Sequence, residues 1–213
     1  MMSSAAWGDL PSCLASNRRG QYNPEYVTHI NSFIYLVIES LPSMEDFTII
    51  NQLGEDGKDG VVSLVRFPNS LEAAMKQYKK TKSTKMIQKE VDFQRQAAEA
   101  GIAPEIMHVD LPNRRIFMEK MAARVVDELS ETDERFEREL SEIMFKLDEI
   151  GILHNDGNPL NLMFDAEDNL KIIDFGLSNK ITKAVRKKWG TPNVKVTLRL
   201  LKRGLKKYGI HVK

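Results

Sequence analysis

Apolar residues recur along this chain with two different periods, and the switches between them mark its elements. Residues 47–53 and 61–67 are rich in β-branched and apolar side chains and predict two strands. Between them lies a polar turn holding Gly54, Gly57 and Gly60. A third strand is expected over 73–78, with Lys76 inside it. Over 83–100 the spacing becomes helical, with Ile87, Val91 and Ala98 beside Met86, Phe93 and Ala97, and Gly101 and Pro104 then stop it. Glu90 sits in the middle of that helix. Runs at 106–110 and 114–119 predict a hairpin around Leu111-Pro112-Asn113. From 133 to 150, Phe136, Leu140, Ile143, Leu147 and Ile150 form one helical stripe ended by Gly151. The charged residues off this stripe, Glu137 and Glu139 among them, are expected to face solvent. A last hairpin is expected from 161–164 and 170–173, joined by the polar turn 165–169.

The two ends read differently. Residues 1–22 look like a flexible tail, and Asn23-Pro24 predicts a helix start. Tyr26, Ile30, Phe33, Val37 and Leu41 then give a wide apolar stripe, for packing on the body or for a partner. Near the other end, Thr191-Pro192 is expected to open an amphipathic helix carrying Leu201 and Leu205 among lysines and arginines.

Charge sharpens that picture. The 213 residues carry a net charge of only +1. After Asp174, however, there are twelve Lys/Arg and no acid, which leaves a balance of −11 through Asp174. Two roles fit the basic end: neutralising the acidic body, or meeting an anionic partner through residues 180–213, whether nucleic acid, membrane surface or acidic protein. One cysteine, Cys13, excludes an internal disulfide framework, and the four histidines are scattered. The apolar run 33–38 is too short for a transmembrane segment, and no secretory signal peptide is evident. A reducing, cytoplasmic or nuclear setting is expected.

The chemistry concentrates in Ile152-Leu-His-Asn-Asp-Gly-Asn-Pro-Leu-Asn-Leu162 and Ile172-Ile-Asp-Phe-Gly176. A carboxylate (Asp156), a carboxamide (Asn161) and a second carboxylate (Asp174) flank the last hairpin in this order. Over about Phe47 to Ser178 the chain resembles the protein kinase-like superfamily, whose catalytic loop and metal loop flank such a hairpin. The resemblance implies an α+β, two-lobed fold: an antiparallel small lobe with one helix, and a reduced, mainly helical large lobe. The corresponding division is 1–22 tail, 23–42 N-terminal helix, 43–119 small lobe and 120–213 large lobe.

Residue by residue, the resemblance implies that Asp156 meets the acceptor hydroxyl, while Asn161 and Asp174 bind metal beside the ATP phosphates. Lys76 is implied to contact those phosphates and to pair with Glu90. Gly54, Gly57 and Gly60 would cover them, and Met118 would border the adenine. ATP and Mg2+, with Mn2+ as an alternative, are the implied cofactors, and a protein Ser/Thr hydroxyl the implied acceptor.

Several positions depart from the family pattern. The glycine turn is G-x-x-G-x-x-G, one residue longer than G-x-G-x-x-G, and it carries Glu55, Asp56 and Asp59, which would face a polyanion unfavourably unless turned outward or paired with Lys58 or metal. Asn155 stands where regulated kinases have arginine, and Asn158 replaces a common lysine. Only 37 residues follow Gly176, so the chain looks like a minimal, atypical kinase similar to compact kinases of bacterial effectors and large DNA viruses. Its protein substrate would be recruited through other surfaces, with an activating or recruiting partner as a further expectation. Two rival readings remain, a pseudokinase-like binding module and a small-molecule phosphotransferase of the aminoglycoside-kinase kind.

Overall fold

The strand-period segments assemble into one antiparallel sheet. In the computed structural model, which describes residues 46–212, β1 (Thr48–Gln52), β2 (Gly60–Arg66) and β3 (Glu72–Tyr78) follow in order. They are joined by β4 (Ile106–Asp110) and β5 (Arg115–Met118), in the spatial order β1-β2-β3-β5-β4. The expected tail and the helix at 23–42 lie outside the described residues, as does Cys13.

Helix α1 (Thr84–Glu99) starts where Ser83 caps it, its side chain accepting from the Met86 amide. Its two apolar edges serve different cores. Ile87 and Val91 pack with Ala74, Ile116 and Met118 of the sheet. Phe93 and Ala97 instead join the main core of the second half. The helix therefore ties the sheet to the helical region, with Glu90 held between these contacts and 2% exposed.

The second half is built around α3 (Glu134–Glu149), capped by the Asp133 side chain, which accepts from the Phe136 amide at 2.7 Å. Phe136, Leu140, Ile143 and Leu147 are all buried, as the stripe predicts, each gaining about 1.5–3 kcal/mol from burial. Two short elements precede it, β6 (Ala123–Arg124) and α2 (Val125–Glu128). After it come β7 (Ile152–Leu153), the hairpin β8 (Leu162–Phe164) and β9 (Leu170–Ile172), and β10 (Asn179–Lys180). β10 pairs with β7, so the strands bounding the two chemistry-bearing loops are hydrogen-bonded to each other.

Two charged residues of α3 depart from the solvent-facing expectation. Glu139 accepts from the Leu170 amide at 3.1 Å, which pins the start of β9. Glu137 accepts from the Thr132 hydroxyl at 2.9 Å and pairs with Lys202. None of these contacts shows in a helical wheel, because Leu170 and Lys202 come from segments distant in the chain and Thr132 lies just before the helix.

The basic end forms two helices. α4 (Lys183–Trp189) begins at Thr182, whose hydroxyl accepts from the Val185 amide. A π-helical turn (Asn193–Thr197) then runs directly into α5 (Leu198–Lys207). Thr191 does not cap this helix. Buried Asn193 anchors it instead, donating from Nδ2 to Asp148 Oδ1 at 2.8 Å and to the Ile152 carbonyl at 2.7 Å. Asn193 Oδ1 also accepts from the His154 amide at 3.1 Å. Asp148, 2% exposed, accepts two further backbone N–H groups there, from Asn193 and Val194. A buried carboxylate satisfied this way holds its partners firmly, since each charged hydrogen bond is worth about 1.5–3 kcal/mol.

Candidate active site

Local backbone chemistry places the site residues. The C-terminal end of β3 puts Lys76 and Tyr78 on one face, two residues apart, over α1. Lys76 Nζ donates to Glu90 Oε1 at 2.7 Å and to Asp174 Oδ1 at 3.0 Å. Burial alone would lower the pKa of this ammonium. The Glu90 and Asp174 carboxylates outweigh that and hold it above the ordinary lysine value. Asp174 shows the complementary effect: burial pushes its pKa up, but Lys76 draws it below the ordinary value.

Asp174 itself has φ 62°, a left-handed conformation that Asp tolerates better than most residues. Its side chain accepts from the Gly176 amide, closing a tight turn, and remains 46% exposed. Gly176 lies at the centre of the charge cluster. A Cβ there would stand 3.1 Å from Lys82 Nζ and 3.2 Å from both Asp174 Oδ1 and Glu90 Oε2. Glycine leaves that space to the charged atoms.

Lys82 was not foreseen. Its side chain is only 2% exposed, and its ammonium donates to Glu90 Oε2 at 2.5 Å and to Asp59 Oδ2 at 2.7 Å. Each Glu90 oxygen thus has its own lysine, and both ammonium groups stand over the Tyr78 ring, at 5.3 Å for Lys76 and 5.1 Å for Lys82. The Asp59 contact resolves the misfit of an acid in the glycine turn, whose partner is Lys82 and not the neighbouring Lys58. Within the run Lys79-Lys80-Thr81-Lys82 nothing in the sequence singles out the fourth position.

The glycine turn is also bound to the sheet. Lys79 Nζ donates to the Gly57 carbonyl at 2.7 Å, and the Gly57 amide to the Gly60 carbonyl at 3.0 Å. Gly54 takes φ 82°, and a Cβ on Gly60 would come within 2.3 Å of the Gln77 carbonyl oxygen. These two positions require glycine for different reasons, one conformational and one steric. Beneath the turn, Ala74 and Met118 are buried in one cluster against partly buried Leu53 and Val62. Gln94 fixes Met118 from behind, its Nε2 lying 3.7 Å from the sulfur.

On the catalytic-loop side, Asn155 has φ 63° and donates from Nδ2 to the Leu177 carbonyl at 3.1 Å. Asp156 Oδ1 accepts from the Asn158 amide at 3.1 Å. Asn161 is 6% exposed and bonds through its backbone, its carbonyl accepting from Ile173 N at 2.9 Å. Its side-chain Nδ2 is buried without a hydrogen-bond partner. A donor left open in this way calls for an acceptor from water or a ligand, and a cation would be met by the amide oxygen of the same side chain. Among the described residues no three His, Cys, Asp or Glu side chains cluster as a metal cage. Asn161 and Asp174 offer the hard oxygen donors that suit Mg2+, which takes few protein ligands and completes its shell with waters and phosphate oxygens. The donor set therefore fits that ion.

His154, fully buried, links the two loops. Its Nε2 lies 3.1 Å from the Ile173 carbonyl and its Nδ1 3.1 Å from the Asp156 carbonyl, with the ring edge-on to Phe175 at 5.0 Å. Burial pushes its pKa below 6.5, and the two carbonyls, of which a neutral ring can donate to one, only partly restore it. The sign follows: the folded state binds the proton less well than the unfolded chain. This contribution is complete above pH ~6.5 and is lost as the pH falls toward the lowered folded pKa. Thermal melts at pH 7.5 and 5.5 should show a smaller acid loss for His154→Gln, which keeps a donor but does not titrate. Equal losses in both proteins would remove His154 from the pH response.

Residues 47–199 match the protein kinase domain, and the chain belongs to that family. It is 32% identical to the serine/threonine-protein kinase greatwall of Bos taurus, across 66% of this chain and 17% of that protein. The Xenopus tropicalis greatwall kinase is 31% identical over the same shares. A probable bifunctional tRNA threonylcarbamoyladenosine biosynthesis protein of Methanocaldococcus jannaschii is 37% identical, across 35% of this chain and 14% of that protein. The chain spans less than a fifth of the length of these relatives. Among the described residues no helix is long and apolar enough to cross a membrane.

Proposed function

We propose that this chain is an ATP- and magnesium-dependent kinase that phosphorylates serine or threonine of a protein. The observation that carries this reading is the ion-pair network beside Gly176, in which Lys76 joins Glu90 to Asp174 and Lys82 shares Glu90. Two ammonium groups and three carboxylates, Asp59 included, form a preorganised charge array. Such an array suits a reaction in which the protein stabilises charge rather than forming bonds.

In this reading Lys76, held by Glu90, binds the ATP phosphates. Gly54, Gly57 and Gly60 lay backbone over them, and the apolar plane of Ala74 and Met118 receives the adenine. Asn161 and Asp174 hold the metal, which when bound neutralises phosphate charge; Mn2+ has the same donor preference. Asp156 orients the acceptor hydroxyl and takes its proton late, since a loose transition state leaves little for a strong base to do early. The serine/threonine preference draws support from the greatwall kinases. No arginine follows His154, so a phosphate on the segment after Gly176 has no partner at position 155.

The test is transfer of label from γ-labelled ATP to the protein itself and to a mixed protein substrate, with Mg2+ or Mn2+. Phosphoserine or phosphothreonine is the expected product. Metal-dependent ATP binding without transfer to any acceptor would turn the reading to a binding module. Transfer only to a sugar or aminoglycoside would turn it to a small-molecule kinase.

A further inference from the structure

The C-terminal helices carry the charge asymmetry onto exposed surface. α5 buries Leu201 and Leu205 in the main core, and its outward face presents Arg199, Arg203, Lys206 and Lys207, with Lys195 one turn earlier. Among the described residues, Lys202 is the one basic side chain of α5 with a carboxylate partner, Glu137. Neutralising the acidic body thus occupies one lysine of this helix and leaves the others facing solvent.

The position of α5 decides what the surface is for. A Cβ on Gly157 would come within 2.4 Å of Leu200 Cβ, and one on Gly204 within 2.6 Å of Pro159 Cδ. The helix therefore lies directly against the loop that carries Asp156. Leu200 is 42% exposed on that edge. At about 100° per residue, Lys207 and then Arg203 follow it around toward solvent. A shallow groove of about 290 Å³ runs along the flank of α5 turned away from Leu200, lined by Val194, Leu198, Arg199, Lys202, Arg203 and Lys206.

We infer that α5 is the docking surface for an acidic segment of the protein substrate, with acidic side chains flanking the phosphorylated residue. This rests on the kinase reading above and names the substrate class for the same site. Basic residues four apart on a helix are spaced about 6 Å, close to the ~6.8 Å between same-side residues of an extended peptide. The groove offers Val194 and Leu198 between the charges, aliphatic groups that suit peptide side chains. Its lining holds no aromatic ring on which a base would stack. An acidic peptide is thereby favoured over single-stranded nucleic acid.

The experiment measures binding of three fluorescein-labelled probes to the full chain by anisotropy at two salt concentrations. The probes are a serine peptide flanked by Asp/Glu, its Lys/Arg-flanked twin, and a single-stranded oligodeoxynucleotide. Wild type is compared with R199E/R203E/K207E and with the milder R199Q/R203Q/K207Q. The variants' fold is checked by thermal melt, and ATP hydrolysis without peptide is followed separately. The acidic peptide should bind at least tenfold more tightly than its twin and weaken with salt. Charge reversal should cost tenfold or more in its affinity, the glutamine variant less, with basal ATP hydrolysis unchanged. Equal binding of the two peptides would overturn the inference, as would wild-type affinity in the reversed variant. Preferential, reversal-sensitive binding of the oligonucleotide would overturn it in favour of a nucleic-acid surface. Reversal-sensitive acidic-peptide binding without phosphoryl transfer would uphold the surface and overturn the kinase reading.

Discussion

Asp174→Ala should lower phosphoryl transfer by on the order of 10³-fold or more while leaving a folded protein. The asymmetry follows from where the carboxylate sits. Its side chain is 46% exposed, and Lys76 keeps Glu90 at 2.7 Å when Asp174 is removed, so no buried charge is orphaned. What disappears is the carboxylate that the proposed function assigns to the metal. Melting temperature and label transfer, measured on the same preparation, separate the two effects. Near wild-type turnover by a folded Asp174→Ala protein would sink the site assignment.

Lys82→Met should damage both stability and nucleotide binding. Methionine approximates the length of the side chain and removes its charge from a position that is 2% exposed. Glu90, also 2% exposed, then keeps one ammonium for two carboxylate oxygens. Removing one partner of a buried ion pair costs about 3–5 kcal/mol, and the surviving Lys76 contact places this case near the lower figure. Asp59, 35% exposed, is left uncompensated in the turn proposed to cover the phosphates. The KM for ATP should therefore rise roughly tenfold, equivalent to about 1.4 kcal/mol. Adding Asp59→Asn should recover much of that KM without restoring the melting temperature, because the second change relieves repulsion and leaves Glu90 as it was. Such non-additivity is expected of residues that share a partner. Unchanged ATP affinity in Lys82→Met would show that Lys82 only supports the fold.

The elements with long, regular patterns were legible in the sequence. α1, α3 and the strands through β5 fall within two residues of their expected limits, because an amphipathic period needs only a core to face. Glu90 was legible in two steps: the family resemblance implied a helix glutamate paired with Lys76, and the helical period placed Glu90 mid-helix. The C-terminal segment was read less well. Its basic helix exists, but α4 and the π-helical turn before it were not foreseen, and Thr191 is not its cap. The turn is held by Asn193 on Asp148, a contact between residues 45 positions apart that leaves no mark on local periodicity.

The same division runs through the site. Sequence alone determined the order and spacing of Lys76, Glu90, Asp156, Asn161 and Asp174, since loop lengths and strand periods are local properties of the chain. Only the tertiary structure decided which charges meet. It chose Lys82 over Lys58 for Asp59, gave each oxygen of Glu90 its own lysine, and turned the uncompensated lysines and arginines of α5 toward solvent beside Gly157. A lysine in a polar run looks the same whether it will be solvated or buried. Its environment is set by packing of segments far away in the chain, and Coulombic pairing acts through space without regard to sequence distance.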